Sequence, residues 1–154
     1  MIKLLKKNEK TNLKTKIINS LMINGEKKTG EKILVKFLKN LQKSTNKNYK
    51  SLIQLAIINS TPTFKLNEQV VKKGKRKSIK STPSFILNDS LRITTSLKSM
   101  KKIISKNNNS NHFYISLVKE ILASTQLKSS VVDKKNELQK QVLLNKRYLS
   151  KFRW

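Results

Sequence analysis

The run VVKKGKRKSIKSTPS, residues 70–84, sets the first condition on any fold of this chain, because it cannot go inside. Lys72, Lys73, Lys75, Arg76, Lys77 and Lys80 crowd around one glycine, Gly74, and burying unpaired cations is prohibitively costly. The run must stand in solvent or against something anionic. Its flanks, Phe64 to Val71 and Ser78 to Leu87, carry Val70, Val71, Ile79, Phe85 and Ile86, which suit extended backbone. Gly74 takes positive φ at a tight turn without steric cost, so the chain at about 64–87 is expected to form a two-stranded basic ribbon. A solvated charged loop is the simpler alternative. Cations gathered on a ribbon repel one another, and a phosphate backbone is the commonest object that relieves this.

On either side of the ribbon the apolar residues recur at helical spacing. Leu13, Ile17, Ile18, Leu21 and Met22 form the stripe of a first helix, with Gly25 placed for a left-handed C-terminal cap. Thr29 is the expected N-cap of a second helix, with Glu31 in its first turn and Ile33, Leu34, Phe37, Leu38 and Leu41 on one face, ending near Ser44 to Lys47. A third carries Tyr49, Leu52, Ile53, Ala56 and Ile57 and stops before Pro62. After the ribbon, Asn88 or Asp89 caps a fourth helix with Leu91, Ile93, Leu97, Met100 and Ile104 inward and Arg92, Lys98, Lys101 and Lys102 outward. A polar loop from Lys106 to Asn111 precedes a fifth with Phe113, Leu117, Val118, Ile121 and Leu122. Asp133 is the expected cap of the last, with Leu138, Val142, Asn145 and Leu149 on one stripe. The fold class is therefore mainly α: six helices with one protruding basic β-hairpin between the third and fourth. Residues 1–11, holding Lys3, Lys6, Lys7 and Lys10 with little periodicity, read as a basic arm that orders on a partner, and 12–154 as one helical domain.

Charge then limits what the domain can do alone. Lys+Arg 35 against Asp+Glu 8 leaves +27 over 154 residues. In a body of radius ~15 Å the screened self-repulsion is on the order of 10 kcal/mol, comparable with the stability of a whole domain. Such a protein is expected to be marginal by itself and stabilised by a polyanion that binds its folded form. The preference for Lys, Asn and Ile over Arg and Ala matches a gene poor in G and C, as organellar genes are.

Other chemistry is thinly provided. No apolar run approaches the ~20 residues that span a bilayer, and no membrane partner is expected. The absence of cysteine removes thiolate ligands and thiol nucleophiles. The carboxylates are scattered, His112 is the lone histidine, and Gly25, Gly30 and Gly74 are too dispersed for a phosphate-cradling loop. No enzyme activity, metal, cofactor or small-molecule substrate is expected. Tyr148, Phe152 and Trp154 are available for packing or for stacking on bases.

Several local sequences together resemble the small-subunit ribosomal protein seven family. They are INSLMINGEKK (Ile18 to Lys28), the third helix ending at Pro62, Val71 to Gly74 leading to Thr82 and Pro83, SSVVDKKNEL (Ser129 to Leu138), and Asn145 to Tyr148 with the terminal Phe152, Arg153, Trp154. The fourth helix departs from the family, with Thr94, Thr95 and Ser96 where members are more apolar and arginine-rich. The resemblance implies a helical domain whose hairpin helps bind the three-prime major domain of small-subunit ribosomal RNA. It also implies nucleation of head assembly beside other head proteins, and a reach toward exit-site transfer RNA and messenger. The lysine-rich drift is similar to a mitochondrial, organelle-encoded member. Carried onto this chain, the phosphate contacts are Lys3, Lys6, Lys7 and Lys10 on the arm, Lys14, Lys27 and Lys28 around the first helix, and Lys72, Lys73, Lys75, Arg76, Lys77 and Lys80 on the hairpin. Arg92 and Lys101 on the fourth helix and Lys134 and Lys135 before the last complete the set. A DNA-packaging protein with a helix-turn-helix among the first three helices is the competing class.

Overall fold

The computed structural model describes residues 13–45, 48–73, 76–107 and 113–146. Among them the order is α1 (Leu13–Leu21), α2 (Lys27–Ser44), α3 (Tyr49–Ser60), β1 (Phe64–Lys73), β2 (Arg76–Phe85), α4 (Asp89–Asn107), α5 (Phe113–Thr125) and α6 (Ser130–Leu144). Six helices and one antiparallel hairpin between the third and fourth match the expected class. The main core joins Ile17, Ile18 and Leu21 of α1, Leu34, Phe37 and Leu41 of α2, Ile53, Ala56 and Ile57 of α3, Ile104 of α4, and Leu117, Val118 and Ile121 of α5. A smaller cluster of Met100, Ile103 and Val131 joins α4 to α6.

The helix starts obey local chemistry that partly differs from the expected caps. Asn24 and Gly25 hold φ of 52° and 81°, and Glu26 N–H donates to the Ile23 carbonyl at 3.0 Å, so Gly25 serves the reverse turn between α1 and α2 and not a cap directly on α1. Because this turn ends early, α2 begins at Lys27 with Glu26 at the N-cap, and Thr29, the expected cap, lies within the first turn with its hydroxyl on the Glu26 carboxylate at 2.9 Å. Gly30 then falls inside α2 where α1 crosses it, and an added Cβ there would meet the Ile18 carbonyl oxygen at 3.3 Å. Asn48 caps α3 by accepting from Lys50 N–H at 3.0 Å, and Asn88 caps α4 by accepting from Ser90 N–H at 2.8 Å. At α6 the cap is Ser129, which accepts from Val132 N–H at 3.2 Å. Asp133 lies inside the first turn, where its charge still favours the helix N-terminus.

On α4 the buried residues Ser96, Met100, Ile103 and Ile104 span an arc of about 100° centred between Ser96 and Met100. Leu91, expected inward, lies on roughly the opposite side of the helical wheel and is 55% exposed. Ser96 is small enough for α3 to approach closely, and its hydroxyl meets that of Ser60 at 2.6 Å. Arg92, expected outward, falls beside Ile103 on the same wheel, so its side chain turns in and is only 13% exposed.

Candidate nucleic-acid interface

The hairpin is pinned to the body at its root. At its root, Phe64 faces Phe85 across the first rung, with ring centroids 5.6 Å apart at 75°. The Arg92 guanidinium lies 5.0 Å over the Phe85 ring, its Nε donates to the Ile86 carbonyl at 2.9 Å, and Nη1 reaches the Asp89 carboxylate at 3.4 Å. Pro83, Ser84 and Ile86 are buried, and β1 packs on α6. Farther out, Glu68 and Val70 are exposed. Strand geometry puts the last rung, Lys73 across from Arg76, about 30 Å from the first. The register sets Lys72 across from Lys77 and Gln69 across from Lys80, so cations dominate the distal rungs. Like charges on facing positions destabilise a sheet unless an anion lies near.

The remaining candidate cations divide into two groups. Lys14, Lys27, Lys28 and Lys134 are exposed on the helices. Arg92, Lys101 and Lys135 are less exposed and bond to carbonyls of the fold. Lys101, expected outward, is half-buried with its Nζ donating to the Met22 carbonyl just past α1 at 3.2 Å, and Lys135 Nζ donates to the Asn59 carbonyl in the last turn of α3 at 2.7 Å. Carbonyls at helix C-termini lack intrahelical partners, and a cation there also meets the negative end of the helix dipole. Burial pushes the Lys135 ammonium below the usual lysine range. Lys3, Lys6, Lys7, Lys10 and Lys75 lie outside the described residues. So do His112, Tyr148, Leu149, Phe152 and Trp154.

Charge density, as a guide, passes over Lys32, Lys36, Lys39 and Lys43, which are exposed on α2. The period that finds the core of that helix also finds them, on its far side. Among the described residues no three His, Cys, Asp or Glu side chains gather into a possible metal site, and no helix is long and apolar enough to cross a membrane.

A helical body presenting a cationic ribbon fits the expected family, and sequence comparison decides it. The family model described as ribosomal protein S7p/S5e matches residues 3–146. The chain belongs to that family. Members of the S7p/S5e family are structural, non-enzymatic proteins of the ribosome. Among similar proteins is the small ribosomal subunit protein uS7c of Euglena longa, 28% identical over 142 residues, covering 90% of this chain and 77% of the relative. Another is the small ribosomal subunit protein uS7 of Wigglesworthia glossinidia brevipalpis, 26% identical over 140 residues, covering 91% of this chain and 85% of the relative.

Proposed function

We propose that this S7p/S5e protein is a structural constituent of the small ribosomal subunit that binds the three-prime major domain of its ribosomal RNA and helps nucleate assembly of the head. The observation that carries the reading is the hairpin: an aromatic and arginine root in the body, with a ladder of cations about 30 Å out. The arm at 1–11 and the body at 12–154 act as one RNA-binding unit, and other head proteins cover parts of the helical surface. The hairpin extends toward exit-site transfer RNA and messenger. The strong Lys, Asn and Ile usage supports a mitochondrial ribosome and an organellar gene.

Lysines hold phosphates as point charges and read little sequence, so recognition goes through RNA shape. With six to ten phosphate contacts, affinity for a folded three-prime-domain transcript should fall roughly 10³- to 10⁵-fold between 50 and 200 mM salt. Duplex DNA of equal length should compete poorly, and the native protein should sediment with small subunits from mitochondria. A shallow salt slope, or a preference for the DNA, overturns the reading.

A further inference from the structure

On α2 the residues Lys28, Lys32, Lys36, Lys39 and Lys43 follow one another at intervals of four, four, three and four. At helical periodicity these five fall within an arc of about 80°, directly opposite the buried arc of Gly30, Leu34, Phe37 and Leu41. All five are exposed, and none has an ion-pair partner among the described residues. Their neighbours at the edges of the arc are Val35, Gln42, Thr29 and Asn40, so no acid lies within it; Glu31 is on the helix flank. Lys36 Nζ also sits 5.9 Å over the Tyr114 ring, which ties the stripe to α5.

Lysines at spacings of three and four repel along a helix, and Lys28 stands at the end where the dipole disfavours a cation. Without a partner the stripe works against its own helix. The stripe is about 22 Å long, with successive cations spaced like the phosphates of a nucleic-acid strand. Protein interfaces deplete charge at their centre and enrich aromatic and apolar side chains, whereas the centre of this arc is lysine alone. It is also separate from the hairpin: α2 packs on α1, α3 and α5, while the hairpin root meets α4 and α6.

We infer that the outer face of α2 is a second RNA-backbone docking surface, independent of the hairpin, which takes the phosphates of another segment of the same folded RNA. The inference rests on the ribosomal RNA reading above. The test measures affinity of the full chain for a folded three-prime-domain transcript against salt concentration, for wild type, K32Q/K36Q/K39Q and K72Q/K73Q/R76Q/K77Q. The α2 variant should lower the slope of log K on log salt by roughly 2 to 3 while its thermal midpoint without RNA stays equal or rises, because glutamine keeps the helix and removes the repulsion. K32R/K36R/K39R should restore the slope. K28Q/K43Q, at the stripe ends, gives a second and milder reading, a fall of roughly 1 to 2. An unchanged slope in both glutamine variants, with a reduced slope in the hairpin variant, overturns the α2 surface and leaves the ribosomal RNA reading standing. The same holds if the α2 variant keeps its slope but is lost from subunits, which assigns the stripe to an acidic protein. A flat slope in the wild type removes both.

Discussion

The two ends of the hairpin are built from the same kind of residue to opposite effect. At the root, Arg92 is largely withdrawn from water and satisfied three ways, by the Ile86 carbonyl, the Asp89 carboxylate and the face of Phe85. At the distal rungs, Lys72, Lys73, Arg76 and Lys77 are set across from one another. A cation enclosed by acceptors strengthens the fold, while cations set against cations leave their neutralisation to another molecule. Lys134 and Lys135 repeat the contrast over adjacent positions: the first is exposed, and the second is tied to the Asn59 carbonyl. Charge in the sequence therefore marks a partner only after the internally satisfied cations are subtracted.

The contrast is broken most sharply at the distal end. Replacing Lys72, Lys73, Arg76 and Lys77 by glutamine should reduce the salt sensitivity of RNA binding between 50 and 200 mM by about 10²-fold. The same variant should melt at or above the wild-type temperature, since like charges at facing positions of the ladder are removed. A lower melting temperature with unchanged binding would reverse the roles assigned to root and tip.

Arg92→Ala should act the other way. It loses a charge-assisted hydrogen bond and a cation–π contact, so denaturant unfolding should show a loss of about 2–3 kcal/mol. The salt slope of RNA binding should change by less than about one contact. A full unit of slope lost without loss of stability would return Arg92 to the phosphate-binding set.

The smallest effect sharpens the comparison at Lys135. Desolvation lowers its pKa in the folded protein, so just below the ordinary lysine range the unfolded chain binds more protons than the folded one. Stability from this group therefore rises as pH climbs through that window. Lys135→Met should remove this alkaline rise while leaving the RNA salt slope unchanged. The check is a pair of unfolding curves across the alkaline range, and an identical pH dependence in both proteins would count against a desolvated ammonium.

Much of this molecule was legible along the chain because helices and hairpins announce themselves by local rules. The stripes of α1, α2, α3 and α5 needed only apolar spacing, and Asn88 needed only cap chemistry. The misplacements have physical causes. Thr29 and Asp133 are good cap residues, but the turn at Asn24–Gly25 and the hydroxyl of Ser129 started their helices earlier. Leu91 is apolar and so reads as inward, although the buried arc of α4, which includes Ser96, a polar residue that a hydrophobic pattern skips, lies on the other side of the wheel. Among the candidate phosphate contacts, Arg92, Lys101 and Lys135 look like any other surface cation in sequence. Their partners, Ile86, Met22 and Asn59, lie outside the helices that carry them, two of them more than seventy residues away.

Residue order alone determined a helical chain interrupted by a cationic ribbon and a total charge that calls for a polyanion, because periodicity, turn chemistry and net charge are properties of neighbours and sums. Only the packed fold decided which cations remain available to that polyanion. Availability depends on whether a carbonyl, a carboxylate or a ring has already been brought within hydrogen-bonding or stacking distance, as the distant Met22 and Asn59 carbonyls are for Lys101 and Lys135.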